Sequence, residues 1–133
     1  MRAVEDGLPT LLVYFFEPSI MEGPDGDVRH WRFVQESIKD LNHLLSPNSK
    51  IYAARGEVIE SLEILSQYFR IKKIFSHEET GNALTYQRDK DVSAFCAKHH
   101  IIWNEYPTNG IVRRLYHRRD FNKRWLETMN EPE

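Results

Sequence analysis

Apolar residues in this chain form four short continuous runs, none of which alternates regularly with polar residues. Runs of this kind are typical of strands covered on both faces, as in a parallel sheet with helices on each side. The predicted strands lie at about 11–16, 50–54, 72–77 and 101–106. The segments between and after them carry apolar residues at helical spacing.

The predicted helices cover 30–45, 57–70, 86–100 and about 119–130. Their apolar stripes are Trp31, Val34, Ile38, Leu41 and Leu45, then Val58, Leu62, Leu65 and Phe69, then Val92, Phe95 and His99, and last Phe121, Trp125 and Met129. Strands that alternate with helices predict an α/β fold with a Rossmann-like, doubly wound parallel sheet. We expect one domain over residues 1–133, with 17–27 as its one long, flexible connection.

The first ten residues resemble the last turn of a helix that is closed by Gly7 and leads into the strand at Leu11. In this fold a helix ahead of a strand usually follows an earlier strand, which these residues do not contain. Without that strand, the backbone groups of the strand beside it would be unpaired. We therefore expect either a strand from a partner chain, through self-association for example, or a sheet closed across the gap.

The composition and the lack of long apolar segments argue against several classes of protein. The net charge of −2 argues against binding nucleic acid by bulk electrostatics. Cys96 is the single cysteine, so no internal disulfide forms. The N-terminus has no apolar signal segment, and no apolar run approaches the roughly 20 residues that cross a bilayer. The expectation is a cytoplasmic protein with no membrane partner.

Common cofactor and metal motifs are absent from the sequence. There is neither a G-x-G-x-x-G fingerprint nor a Walker lysine loop. His99 and His100 would point about 100° apart on a helix, and the consecutive side chains of 77–79 would alternate in an extended chain. No metal site is predicted, and Cys96 is expected to be a buried, unreactive thiol.

The segment 77–82, His-Glu-Glu-Thr-Gly-Asn, holds more polar groups than a turn requires. It follows a predicted strand and precedes a helix, where open α/β sheets bind ligands and free N–H groups attract anions. A purely structural interpretation is equally good. In that interpretation the segment is a turn, Thr85 is the N-cap of the helix and Glu78 pairs with Arg88.

Four segments in order resemble the N-terminal α/β domain of the DNA photolyase and cryptochrome family. They are LLVYFFEPSIM at 11–21, HWRFVQESIKDLNHLL at 30–45, AARGEVIESLEIL at 53–65 and SHEETGNALTYQRDKDV at 76–92. The last resembles the family's loop after its fourth strand, which closes on an Arg-Asp pair, here Arg88-Asp89. SHEETGN and NGIVRRL, at 76–82 and 109–115, are similar to a bacterial photolyase-like subgroup.

The resemblance implies a fragment of a longer flavoprotein. Family members open with a strand that this sequence lacks, and continue into a helical domain that holds FAD and a DNA lesion. There, light-excited reduced FAD passes an electron to a pyrimidine dimer that has left the base stack. The 133 residues alone are expected to repair nothing. Their implied roles are to bind an antenna chromophore and to dock their own C-terminal FAD domain, with damaged DNA bound by the whole protein.

The implied antenna site lies in the loop after the fourth strand and on the adjoining helix. Its candidate residues are His77, Glu78, Thr80, Gly81, Asn82 and Arg88. Asn109 is added because it follows the next strand end, at the same edge of the predicted sheet. Folate-binding members carry Asn-Glu just before the Arg-Asp pair, where this chain has Leu84-Thr85. The identity of the chromophore, whether folate, deazaflavin or flavin, therefore stays open. Whether any chromophore binds stays open as well.

Two functions remain open from the sequence. The first is an antenna and docking domain of a photolyase-like or cryptochrome-like protein. The second is a nucleotide-binding or interaction module of the wider adenine-nucleotide-binding α/β superfamily, without photochemistry. The basic segment 113–124 is expected to dock the FAD domain, through Arg113, Arg114, Arg118, Arg119, Lys123 and Arg124. A solvated helical face is the alternative.

Overall fold

The computed structural model describes residues 3, 7–24, 26–107, 117 and 120–130. Its strands are β1 (Leu12–Phe16), β2 (Ile51–Arg55), β3 (Lys73–His77) and β4 (Ile102–Tyr106), and its helices are α1 (Pro18–Met21), α2 (Val28–Leu44), α3 (Val58–Tyr68), α4 (Ala83–His99) and α5 (Phe121–Met129). All four predicted strands are confirmed to within a residue or so. The α/β class is confirmed as well.

The strands pair as two separate parallel sheets. β1 pairs with β2 in the register Leu12↔Ile51 to Phe16↔Arg55. β3 pairs with β4 in the register Lys73↔Ile102 to His77↔Tyr106. The chain divides accordingly into two compact units, Met1–Arg70 and Ile71–Glu133. Each unit joins its two strands through one long helix, α2 in the first and α4 in the second.

In the first unit, α2 begins at the N-cap Asp27, whose carboxylate accepts a hydrogen bond from the Arg29 N–H at 2.8 Å. The Arg29 side chain also donates to Asp27, and these bonds lower the pKa of that carboxyl. Ile38 is buried on the predicted face of the helix. Leu41 was expected on the same face but is 47% exposed, because it lies at the margin of the stripe.

The connection 17–27 holds more regular structure than the sequence suggests in its described residues, which are 17–24, 26 and 27. It contains α1 and is fixed by two carboxylates that cap each other's helices. The buried Glu17 accepts from the Val58 N–H at 3.4 Å, at the start of α3. Glu57 in return accepts from the N–H and the hydroxyl of Ser19, at 2.9 and 2.8 Å. Because each carboxylate satisfies free donors of a helix start, the loop is tied to the β2–α3 turn.

The second unit has its core on α4. Val92, Phe95 and Cys96 are buried there, together with Ile101 just before β4. The prediction that His99 belongs to the buried stripe is wrong, since this residue is exposed. Its ring contacts that of Phe95, with 4.4 Å between the ring centroids. α4 ends at His100, which adopts the left-handed conformation with φ 55°.

Two further expectations about apolar stripes are wrong. Phe69, expected on the buried face of α3, is the C-cap of that helix and is 57% exposed. On α5 no described residue is buried, and Phe121, Trp125 and Met129 are 38%, 38% and 55% exposed. Periodicity identifies the face of a helix that suits burial, but does not supply the surface that covers it. Gly7, the predicted helix-closing glycine, has a φ of 70°, the left-handed value that such a glycine adopts.

Candidate functional site

The loop between β3 and α4 forms a shallow depression with a volume of about 620 Å³. β3 ends at His77 and α4 begins at Ala83, so the loop leaves the carboxyl end of a parallel strand, as predicted. One continuous stretch of chain lines the depression: Glu78, Glu79, Thr80, Gly81, Asn82, Ala83, Thr85 and Tyr86. The concavity is therefore a property of this loop and the first turn of α4.

Glu79 is the residue that organises the loop. Its carboxylate accepts from the N–H groups of Thr80 and Gly81, at 2.9 and 2.7 Å. The other carboxylate oxygen accepts from Nη2 of Arg88 at 3.1 Å. Arg88 also reaches a carboxylate oxygen of Asp89, at 3.3 Å. A single side chain thus folds the loop back onto α4.

The structure corrects the expected partner of Arg88. We expected an ion pair with Glu78, but the carboxylate that Arg88 contacts in the loop is that of Glu79. Arg88 and Glu79 are both largely covered, with side-chain exposures of 27% and 30%. An arginine held between two carboxylates is poorly placed to bind the anionic tail of a ligand as well.

Asn82 is the N-cap of α4, where we expected Thr85. Its side-chain oxygen accepts from the N–H groups of Leu84 and Thr85, at 3.0 and 3.2 Å. The Thr85 hydroxyl donates back to the Asn82 carbonyl at 3.0 Å, and Thr85 is buried. Since these N–H groups are already bonded, the start of α4 is not an open anion site.

Side chains of the loop and of α4 pack closely around Gly81. A Cβ at this position would lie 2.9 Å from Oε1 of Glu79 and 2.9 Å from Oγ1 of Thr85. Both atoms are side-chain ends, so a larger residue at this position would have to displace these two side chains.

The candidate residues are brought together only in part. Glu78, Thr80, Gly81 and Asn82 line the depression. His77 and Arg88 are not among its lining residues; Arg88 supports the loop through Glu79. Asn109 lies outside the described residues, as do Arg113, Arg114, Arg118 and Arg119 of the basic segment. Lys123 and Arg124 are exposed on α5.

Tyr86 is a lining residue that the sequence analysis did not select. Its ring is 44% exposed, and Nζ of Lys90 lies 4.5 Å from the ring centroid. The available signal was its position one turn after the loop, with Lys90 four residues further along the same helical face. The depression thus combines an aromatic ring with the carboxylates of Glu78 and Glu79.

The charge in the depression favours a ligand rich in hydrogen-bond donors. Within the described part of the chain, the Glu78 side chain makes no hydrogen bond or ion pair, so its carboxylate is available as an acceptor. Phosphate groups would meet this carboxylate and find the helix N–H groups occupied. Over the same residues no cluster of three or more metal-ligating side chains occurs.

Comparison with known proteins assigns no family. No protein-family model matches the chain, and none of the curated proteins searched is significantly similar to it. As regards membranes, none of the helices among the described residues has the length and apolar character needed to cross a bilayer.

Cys96 is expected to be unreactive in the folded protein. The residue is 3% exposed, and burial raises the pKa of its thiol above the ordinary 9.0. Because the thiol ionises more readily in the unfolded chain, the folded state is most stable below pH 9.0 and loses stability as pH rises from there through the folded pKa. We expect a disulfide reagent at pH 8 to react at least about 100-fold more slowly with native than with denatured protein. The reaction is followed by absorbance, and equal rates for native and denatured protein would contradict the burial of Cys96.

Proposed function

We propose that this chain is the antenna and docking domain of a light-dependent flavoprotein of the DNA photolyase and cryptochrome type, built on a Rossmann-like doubly wound sheet. The observation that carries the proposal is the depression after β3. It coincides with the stretch 76–92, whose residues resemble the family's loop, and Arg88 and Asp89 of the resembling pair are in contact at 3.3 Å. Ligands of open α/β sheets bind at this edge.

The proposed ligand is a planar heterocycle with hydrogen-bond donors on its edge, such as a reduced folate or a flavin. Its ring would lie against the aromatic side chain of Tyr86, which lines the depression. Its N–H groups would donate to Glu78, a charge-assisted bond of the stronger kind. Glu79, Asn82 and Arg88 would act indirectly, since their contacts hold the loop in shape.

FAD and damaged DNA belong to the proposed function of the longer protein. In this proposal FAD is bound by a helical domain to which these residues dock, and it carries out the light-driven electron transfer. The residues described in the structure would collect light through the antenna chromophore. Docking would use the basic segment, including Lys123 and Arg124 of α5 with its exposed apolar side chains. We propose a cytoplasmic location.

An interaction module without a chromophore is the second candidate. It is favoured by the contacts that Glu79, Arg88 and Asn82 make within the segment 79–89, which hold the loop in shape without a ligand. Nucleotide binding is the weaker form of this alternative, because phosphates would face Glu78 and the capped start of α4.

The chromophore content of purified protein tests the proposal. Protein produced in cells that make folates and flavins should release a second chromophore, identified by mass, besides any FAD. Tyr86→Ala and Glu78→Ala should each lower its occupancy by about tenfold, as expected for loss of a stacking surface or a charged hydrogen bond. Glu63→Ala, an exposed carboxylate on α3, is the matched control and should retain full occupancy.

The outcomes separate the two functions. Release of FAD alone, or of no chromophore, would contradict an antenna role and leave the interaction module. Full occupancy in both Tyr86→Ala and Glu78→Ala would mean that the chromophore binds outside this depression.

A further inference from the structure

The edge of β1 that faces away from β2 forms no strand pair among the described residues. The backbone of Gly56 donates to the Phe16 carbonyl at 3.1 Å, which fixes the residues of β1 that bond to β2. In a parallel ladder the N–H and C=O of one residue point to the same side, and successive residues alternate. Leu12, Tyr14 and Phe16 therefore face β2, while Val13 and Phe15 present their N–H and C=O at the opposite edge.

No partner for that edge is found in the described part of the chain. The backbone groups of Val13 and Phe15 make no hydrogen bond there with any other described residue. Val13 is also 37% exposed, and Leu11, just before the strand, is 44% exposed. A row of unpaired donors and acceptors beside exposed apolar side chains is a template for another strand.

The outer edge of β2 shows what a protected edge looks like. The Asn42 side chain accepts from the Ile51 N–H at 2.7 Å and donates to the Ile51 carbonyl at 3.0 Å. One amide group thereby occupies both backbone groups of Ile51, the first residue of that edge. β2 also ends in Arg55, which adds the charge that commonly blocks edge pairing.

Charge sets β1 apart from every other described strand. Its sequence, LVYFF, contains no Asp, Glu, Lys, Arg or His. β2 has Arg55, β3 has Lys73 and His77, and β4 has Glu105. A strand that pairs with β1 should thus be uncharged, and β1 of a second copy meets that requirement without repulsion.

We propose that the chain forms a two-fold dimer in which β1 pairs antiparallel with β1 of a second copy. Val13 of each copy would exchange both of its backbone hydrogen bonds with Phe15 of the other, with the two-fold axis at Tyr14. The result is a four-stranded sheet with the order β2–β1–β1–β2. Two-stranded sheets are marginal on their own, and four strands lie in the range that is stable. The isologous contact closes on itself, so association stops at the dimer.

Sedimentation equilibrium from micromolar to millimolar concentration tests this proposal. The wild-type protein should reach twice the 15.8 kDa mass of the chain. Val13→Lys, which places a charge on the edge, should raise the dissociation constant by about tenfold or more. Tyr52→Lys is the matched control: it adds the same charge to the register neighbour of Val13 on β2, and it should leave the dimer intact.

A second variant separates edge pairing from side-chain effects. Val13→Pro removes an N–H that points away from β2, so the pairing of β1 with β2 is kept while half of the intermolecular bonds are lost. It should dissociate the dimer with an unchanged circular dichroism spectrum. In wild-type protein the Val13 and Phe15 amides should exchange hydrogen more slowly as concentration rises.

Three results would overturn the proposal. The first is a monomer over the whole concentration range. The second is slow exchange of the Val13 and Phe15 amides at every concentration, which would mean that the chain itself covers this edge. The third is a dimer that both Val13 variants preserve and that Phe33→Asp breaks, which would place the contact on the exposed side of α2.

Discussion

Phe95→Ala will cost the second unit about 3–5 kcal/mol of unfolding free energy, the range for truncating a buried aromatic side chain. Phe95 is 5% exposed and lies beside Cys96, which is 3% exposed, in the core that α4 builds. Removing the ring leaves a cavity among these side chains and takes away the surface that the His99 ring contacts. A loss of this size is a large fraction of the stability of a small protein.

The measurement is urea unfolding followed by circular dichroism, with Phe33→Ala as the matched control. The control makes the same phenylalanine-to-alanine change on α2, where Phe33 is 68% exposed. That variant should stay within about 0.5 kcal/mol of wild type. Equal costs for the two substitutions would show that α4 does not carry the core assigned to it.

Glu79→Ala is expected to have the next largest effect, a loss of about 2–3 kcal/mol. The substitution removes the acceptor for the Thr80 and Gly81 N–H groups and the loop partner of Arg88. Bonds to a charged group contribute about 1.5–3 kcal/mol each, and solvent replaces part of that at a side chain that is 30% exposed. Amide exchange at Thr80 and Gly81 should accelerate by about tenfold or more.

The adjacent carboxylate is the control for this experiment. Glu78→Ala removes the same group one residue earlier, from a side chain that makes no hydrogen bond with another described residue. Its stability should stay within about 0.5 kcal/mol of wild type. If Glu78→Ala destabilised the protein as much as Glu79→Ala, the ion pair of Arg88 with Glu79 would not be what holds the loop.

Which of these two glutamates contacts Arg88 could not be predicted from the sequence. A short continuous apolar run such as LLVYFF, rich in aromatic residues, favours a strand over a helix, which needs a longer run. Whether Glu78 or Glu79 meets Arg88 depends on the direction of each side chain, and adjacent residues in an extended segment point to opposite sides. A composition or spacing argument cannot choose between them.

The N-cap of α4 and the buried faces of the helices were also not fixed by the sequence pattern alone. Asn82 and Thr85 are both good N-cap residues, and the structure selects Asn82 because the Glu79 contacts fix the preceding turn. The stripe on α5 has the right period for burial, yet Trp125 is 38% exposed. Period is a local property of the chain, whereas burial depends on the presence of a second surface.

The central claim is that a donor-rich planar chromophore binds in the depression after β3, and amide resonances measured during a titration test it most directly. A reduced folate and a flavin would be added separately to isotope-labelled protein. The account predicts saturable shifts concentrated at the residues of 78–86, with Tyr86→Ala raising the ligand concentration that saturates them by about tenfold and Glu63→Ala leaving them unchanged. Saturable shifts that lie elsewhere, or none with either compound, would contradict it.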